Sequence, residues 1–318
     1  MKGIIKHLQN NRINSIIQTR NQIKQVTRSF LGKKGFIEID TPILGPKIPE
    51  YTNNQFKVLG ERGEVYYLPQ SPQIYKQILM NAGYKKYFQF AHCFRYGEID
   101  ENHINEFMQI DVEMQVSDKI ILMQYVEQII KSICNILNIP CRIPFPKISG
   151  TECFLKYGTD KPDLRKNPDE MSFLWIVDLP MLEKLTNFGR IKVISADIEI
   201  NKIEYILSHH AFAMPQNWIN INEKCDLLNV LTDSFDLILN GVEVCSGDIR
   251  INDRDLQKDI FDKLGICIEY YKGYLDLLNP EVKNGGFALG MERLIMALFQ
   301  YSDIKEMNAF FENWYLEE

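Results

Sequence analysis

Residues 106–114 alternate between polar and apolar side chains, strictly so from Met108 onward, and this pattern restricts the fold more than any other segment. Successive side chains of a strand point to opposite faces. One face of this strand is therefore apolar, and the other carries Gln109, Asp111 and Glu113. The segment predicts a strand that packs on a core with one face and presents acids and an amide with the other.

Several other apolar runs have the length of strands and end at glycine or proline. They lie at residues 36–39, 64–68, 87–94, 173–177, 235–244 and 248–251. Asn240-Gly241, between two apolar runs, is typical of a hairpin turn. Because these strands outnumber those of a βαβ alternation, we predict an α+β fold with an antiparallel sheet.

Helical periodicity predicts the elements around this sheet. Predicted helices cover residues 13–31, 72–80, 118–138, 256–264 and 287–300, and residues 141–169 are predicted to be a loop. No G-x-G-x-x-G follows a strand and no G-x-x-x-x-G-K-[ST] is present. Two common nucleotide-binding loops are thereby excluded.

Composition limits the class of protein. The 318 residues carry a net charge of −6, which disfavours electrostatic binding to the phosphate backbone of a large nucleic acid. No apolar run is long enough to cross a membrane, and no secretory signal is visible at the N-terminus. The seven cysteines form no C-x-x-C pair, so we expect reduced thiols and a cytoplasmic protein.

Two hairpins carry charges that suit a nucleotide. Arg95 ends one strand, and Phe107 and Asp111 lie on the next. A guanidinium beside an aromatic ring suits a ligand with an anion and a flat ring, although a surface Arg–Asp pair gives the same pattern. Asp236 and Glu243 have the oxygen ligands that Mg²⁺ prefers, or are the solvated charges of an ordinary hairpin.

A glycine-rich strand at residues 285–290 leads into a helix whose first turn carries Arg293. Glycines permit close approach of a ligand to the backbone, and an arginine can clamp a phosphate. The dipeptide His209-His210 has no third ligand at a useful spacing, so we predict no zinc site there.

Together these segments resemble the motifs of class II aminoacyl-tRNA synthetases, and of the aspartyl branch in particular. Phe94-Arg95 with residues 106–114 resembles motif 2, residues 286–293 resemble motif 3, and the helix and strand that end at Thr41-Pro42 resemble motif 1. Further aspartyl-type strings lie at residues 68–77, 208–212 and 236–243, and residues 157–165 resemble the bacterial subtype. The resemblance covers residues 12–310 and implies the class II synthetase-type antiparallel sheet flanked by helices, in a single catalytic domain over residues 1–318 with a short extension at 1–11.

This resemblance implies that L-aspartate and ATP form aspartyl-adenylate and pyrophosphate. The attacking carboxylate and the α-phosphate are both anions, so cations must lie between them. The resemblance gives Arg95 this bridging role and gives Arg293 the γ-phosphate. The remaining nucleotide-binding residues that it implies are Glu98, Phe107, Glu243 and Gly290, with Asp236 and Glu243 as the Mg²⁺ ligands.

The amino-acid site follows from the same resemblance. Lys76 and Arg250 would pair with the substrate β-carboxylate, and Asp111 would orient Lys76. The α-amino side would be held by Glu50, Gln73 and His209. We expect aspartate rather than asparagine, because an amide would leave two cations unpaired, which costs on the order of 3–5 kcal/mol.

The chain also departs from the family. Because the motif 1 resemblance begins by about residue 12, we expect no N-terminal anticodon-binding OB-fold domain, and the predicted strand at 173–177 follows Arg165 too soon for the large bacterial insertion. The motif 2 loop, residues 96–105, carries three acids and no lysine or arginine, and Gly97 stands where the family has an adenine-reading glutamate. Cys245-Ser246-Gly247-Asp248 replaces a Gly-Gly-Gly-Ser-like stretch, and Asp248 adds a negative charge close to Arg250.

These departures predict a stand-alone paralogue, a homodimer through the motif 1 region, that does not select a tRNA by its anticodon. Ammonia, a small amine, a peptide or a protein side chain would then accept the aspartyl group. The alternatives are a truncated aspartate–tRNA ligase that uses the acceptor arm alone, and a silent regulatory module. Retention of Arg95, Glu243 and Arg293 favours an enzyme over the silent module.

Overall fold

The computed structural model describes residues 2–47, 55–97, 99–184, 199–200, 203–207, 209–218, 227 and 229–310. Its helices are α1 (Lys2–Leu8), α2 (Asn11–Lys33), α3 (Gln73–Asn81), α4 (Lys119–Ile136), α5 (Gly150–Tyr157), α6 (Arg254–Leu264), α7 (Lys272–Leu275) and α8 (Met291–Leu298). Short 3-10 helices cover Ile268–Tyr271 and Ile304–Met307.

The strands are β1 (Ile37–Glu38), β2 (Lys57–Leu59), β3 (Val65–Tyr67), β4 (Lys86–Phe94), β5 (Glu106–Gln115), β6 (Lys147–Ser149), β7 (Phe173–Val177), β8 (Leu182–Lys184), β9 (Glu199–Ile200), β10 (Ile203–Leu207), β11 (Ser234–Leu239), β12 (Val242–Ile249) and β13 (Asn284–Gly290). Eight of them form one sheet in the order β1-β4-β5-β13-β12-β11-β7-β6. The two edge pairs are parallel and the inner pairs are antiparallel. The predicted α+β class is therefore confirmed.

The apolar face of this sheet packs against α2, α4 and α8. Ile110 and Val112 of β5 are fully buried there, together with Phe287 of β13 at 1 % exposure. α2 begins at a capped end, where the Asn10 side chain accepts a hydrogen bond from the Arg12 amide at 2.8 Å. Because helices pack on this apolar face, the polar face of the same strands is left for chemistry.

A second apolar cluster lies under α6 and α7. Phe212 is 1 % exposed and packs edge-on against Phe261 and Tyr274. Aromatic contacts of this kind hold a segment firmly in place. This cluster therefore fixes the backbone directly after His210, at the margin of the polar face.

The hairpin signal is confirmed, since Asn240 and Gly241 adopt φ values of +53° and +82° between β11 and β12. Three boundaries were predicted wrongly. The predicted loop at residues 141–169 contains β6 and α5. Residues 248–249 are the end of β12 and residues 250–251 follow it, so no separate strand forms there. Residues 287–290, predicted to be helical, belong to β13. None of the helices in the described ranges combines the length and apolar character that a bilayer crossing requires.

Candidate active site

The polar face of the sheet is built from β5 and β12, with β13 between them. Across this face Asp111 pairs with Ala288 and Glu113 with Gly286, while Gly286 also faces Asp248 on the other side. The residues of β13 at these positions are small, so side chains from β5 and β12 can meet above them. The register thus places the charged side chains of two separate hairpins in one group.

Glycine is required at position 286 because the Glu113 side chain, rather than a ligand, occupies the space above it. A Cβ atom at this position would lie 2.0 Å from Glu113 Oε2 and 2.3 Å from the Val112 carbonyl oxygen. Real Cβ atoms do not approach other atoms so closely, so only glycine leaves space for the Glu113 carboxylate.

One end of the face holds the residues predicted for the amino acid. Lys76 of α3 places its Nζ 2.8 Å from Asp111 Oδ2 and 3.8 Å from Glu113 Oε2. Arg250 donates to both oxygens of Glu113, from Nε at 3.1 Å and from Nη2 at 3.0 Å. Burial raises the pKa of Asp111, although Lys76 acts in the opposite direction.

Asp248 completes the surroundings of Arg250. Its Oδ1 accepts from Arg250 Nη1 at 2.6 Å, and His210 Nε2 lies 2.9 Å from the same Nη1. Burial opposes the charge of Asp248, yet Arg250 holds the pKa of this carboxyl well below its usual range. Burial lowers the pKa of His210, so its Nε2 can accept the arginine hydrogen.

His209 lies beside the predicted metal ligand Asp236. Its Nε2 is 3.0 Å from Asp236 Oδ1 and 3.0 Å from the Ser246 hydroxyl. Burial acts against the imidazolium, but the carboxylates of Asp236 and Asp248 outweigh it and raise the pKa of His209 to about 10. The imidazole therefore carries a positive charge at neutral pH.

The other end of the face holds the residues predicted for ATP. Arg293, in the first turn of α8, donates from Nη1 to Glu243 Oε1 at 3.3 Å, and Lys161 Nζ lies 2.6 Å from Glu243 Oε2. Burial acts against the charge of Glu243, but the two cations hold its pKa well below the usual range. Gly290 is the residue directly before α8, where its chain bends from strand to helix.

Arg95 and Phe107 also meet on this face. The Arg95 guanidinium lies 5.7 Å from the centre of the Phe107 ring. The loop that follows Arg95 folds back toward α8, because Arg293 Nε donates to the carbonyl oxygen of Asn102 at 3.4 Å. A ligand with a planar ring and an attached anion could stack on the Phe107 ring and pair with the guanidinium groups of Arg95 and Arg293.

Gln73 lies one turn before Lys76 on α3 and is 2 % exposed. Its Nε2 is buried without a hydrogen-bond partner among the described residues, which is the state expected of a donor meant for a ligand. The remaining predicted site residues, Glu50 and Glu98, lie outside the described residues. Their predicted roles stay predictions.

Several residues of the site had no predicted role. Glu113 accepts two hydrogen bonds from Arg250. The only sequence feature that indicated a role for Glu113 was its position on the polar face of the alternating strand. Lys161 lies in the string that resembles the bacterial subtype, but nothing in its spacing indicates contact with Glu243. Asn284 donates to Glu113 Oε1 at 2.5 Å, and no sequence pattern indicates this contact.

Comparisons with known proteins agree with this arrangement. The aspartate–tRNA(Asp/Asn) ligase of Helicobacter pylori strain P12 is 26 % identical, with 93 % of this chain and 71 % of the relative covered. An aspartate–tRNA ligase of Clostridium kluyveri is 33 % identical over 79 % of this chain and 45 % of its own length.

Solved structures show the same fold. The asparaginyl-tRNA synthetase of Pyrococcus horikoshii complexed with asparaginyl-adenylate has a TM-score of 0.72 at 19 % identity, covering 96 % of this chain and 69 % of that one. A family model described as class II tRNA synthetases (D, K and N) matches residues 1–313. Because the match covers nearly the whole sequence, the chain belongs to the class II tRNA synthetase family of the D, K and N type.

Proposed function

We propose that this chain uses ATP to activate the carboxyl group of an amino acid of the aspartate–asparagine pair as an adenylate. One observation supports this most directly. A single sheet face has Lys76 and Arg250 at one end and Arg293 with Glu243 at the other. An amino acid and a nucleotide bound at these ends would meet above β13, with cations on both sides.

Positioning and charge stabilisation account for most of this chemistry. Arg95 would neutralise the α-phosphate and the attacking carboxylate, with the adenine ring against Phe107. Arg293 would leave Glu243 for the triphosphate when ATP binds. The carboxylates of Asp236 and Glu243 have the hard oxygens that Mg²⁺ prefers, so these two residues would hold the ion. Magnesium supplies neutralisation of the triphosphate charge.

Aspartate is the amino acid that the sequence predicts. Lys76 is 3 % exposed and lies 2.8 Å from Asp111, which holds the ammonium in a fixed position. A carboxylate or an amide oxygen can accept from this ammonium. Gln73 of α3 and His209 are both buried, and they would contact the α-amino side of the amino acid.

For the second step we propose an acceptor other than an anticodon-selected tRNA. Asp100 and Glu101 stand in the loop after Arg95, where acids repel a phosphate backbone. Ammonia, a small amine, a peptide or a protein side chain would then take the acyl group. The relatives are aspartate–tRNA ligases, which favours the other candidate, a truncated ligase that charges tRNA through the acceptor arm.

Isotope exchange between pyrophosphate and ATP tests the first step. We expect exchange with one amino acid of the pair and a loss of at least about 100-fold in Arg293→Ala, because this residue binds only the nucleotide. Arg254→Ala is the matched control, since Arg254 is exposed and pairs with Asp276 on the surface. Absence of exchange with all twenty amino acids would favour the silent module.

We also propose that two copies associate through the motif 1 region. β1 is an edge strand of the sheet and is only two residues long. Ile37, Ile43 and Leu44 are 51 %, 47 % and 51 % exposed around it. An uncovered edge beside exposed apolar side chains suits a second copy of the same chain.

A further inference from the structure

Four of the five N–H donors of the Arg250 guanidinium already have acceptors among the described residues of this chain. Nε and Nη2 serve the two oxygens of Glu113, and Nη1 serves Asp248 Oδ1 at 2.6 Å and His210 Nε2 at 2.9 Å. Asp248 and His210 take both hydrogens of Nη1, so the edge formed by Nη1 and Nη2 offers a substrate carboxylate one Nη2 hydrogen and not the pair that a bidentate contact needs.

The formal charges at this end of the face also disfavour a substrate with a negatively charged side chain. Three cations, Lys76, Arg250 and His209, meet four carboxylates, Asp111, Glu113, Asp236 and Asp248. Five of these side chains, Lys76, Arg250, Asp111, Glu113 and Asp248, are 3 % exposed or less. A substrate with a negative side chain would bring a fifth carboxylate into a buried group that already has one anion in excess.

Asp248 cannot easily leave this position. It lies two residues before Arg250, on β12 and on the same face of the sheet, and its carboxylate is fully buried. If a substrate carboxylate displaced it, Asp248 would remain buried beside His209 and His210 but would lose its contact with the guanidinium. Loss of such a partner by a buried charge is unfavourable.

We propose that Asp248 takes the place of a substrate carboxylate on Arg250, so that this core selects an uncharged amide side chain, that of asparagine, over aspartate. The inference rests on the proposed adenylation and names its substrate class. The amide oxygen accepts from the Lys76 ammonium, and the amide nitrogen donates to the carboxylates of Asp111 and Asp248. Each polar atom of the side chain then has a partner of the right kind.

Pyrophosphate exchange with L-asparagine and with L-aspartate tests this selection in the wild-type protein. We expect kcat/KM for asparagine to exceed that for aspartate by at least about 100-fold, within the range that buried polar contacts give. Most of the difference is expected in KM. Aspartate preferred to asparagine overturns the inference and leaves the proposed function standing, whereas exchange with neither amino acid overturns both.

Two variants assign the selection to Asp248. Asp248→Ser frees the edge of Arg250, and Asp248→Asn keeps the size of the side chain while removing its charge. Both are expected to raise kcat/KM for aspartate relative to asparagine by about 100-fold or more. An unchanged ratio in folded variants, checked by thermal unfolding, overturns the role of Asp248. Asp262→Asn, an exposed acid paired with Lys258, is the matched control.

Discussion

At the scale of single residues, Gly286 carries an unusual constraint, because the space above it belongs to Glu113. A Cβ here would lie 2.0 Å from that carboxylate. We expect Gly286→Ala to lower the free energy of unfolding by about 3 kcal/mol, at the upper end of ordinary overpacking, and to abolish pyrophosphate exchange. Denaturant unfolding measures the first effect.

The control for this prediction is Gly32→Ala. Gly32 lies in α2, and nothing lies within 4 Å of a Cβ added there. Alanine favours a helix over glycine by about 1 kcal/mol, so this variant should be slightly more stable than the wild type. Equal stability of the two alanine variants would contradict the steric role of Gly286.

His209 gives the site a dependence on pH. The pKa of this residue is about 10 in the folded chain, against about 6.5 for an unperturbed histidine. The stabilisation is therefore fully present below about pH 6.5 and is lost as the pH rises through about 10. We expect a contribution of a few kcal/mol, since one pKa unit corresponds to about 1.4 kcal/mol.

His209→Gln isolates this contribution, because glutamine keeps a hydrogen-bond donor and does not titrate. Unfolding in denaturant at pH 7 and at pH 10.5 should show a larger loss of stability in the wild type than in the variant. Parallel losses would show that the imidazole is neutral in the folded protein.

At the scale of elements, the hairpin of β11 and β12 positions both Asp236 and Glu243. Asn240 adopts a φ of +53°, and its Oδ1 accepts from the Ser172 amide at 2.9 Å. We expect Asn240→Ala to cost about 1–2 kcal/mol, because it loses the hydrogen bond and places alanine in the left-handed region.

Asn240→Gly separates these two causes. Glycine tolerates the left-handed conformation but lacks the side-chain acceptor. Its loss of stability in denaturant unfolding should be smaller than that of the alanine variant. If glycine were the worse of the two, backbone conformation would not be what asparagine supplies at this turn.

Strands with an alternating pattern were predictable, as β5 shows, because burial of one face imposes a period of two. β6 and α5 were not predictable in the same way. β6 has three residues and pairs in parallel with β7, so neither its length nor its period differs from those of a loop. α5 begins at the cap of Ser149, whose Oγ accepts from the Glu152 amide at 3.2 Å, a signal that the surrounding proline and glycine obscured.

The contacts of the site also divide into those that local sequence spacing predicts and those that it does not. Asp248 lies on β12 and Arg250 directly follows that strand, two positions on, so their closeness was predictable from the sequence. The contact between Arg250 and Glu113 joins residues 137 positions apart, and only the order of β5, β13 and β12 brings them together. Local spacing carries no information on such a contact.

At the scale of the whole molecule, association through β1 makes a testable prediction. Ile37→Asp places a charge on the uncovered edge and should convert a dimer to a monomer at micromolar concentration in sedimentation equilibrium. Leu155→Asp is the matched control, since Leu155 is 81 % exposed on α5, which packs beside β6 and β7 at the other edge of the sheet. Dissociation by the control alone would assign the interface to that edge.

β13 has a further consequence for the molecule as a whole. Near its start, Gly286 accommodates the carboxylate that holds Arg250, and at its end Gly290 leads into the helix that carries Arg293. A small displacement of this one strand would move both groups together. Occupancy of the two ligand positions should accordingly be energetically coupled, and thermodynamic reciprocity requires that each ligand alter the affinity of the other by the same factor.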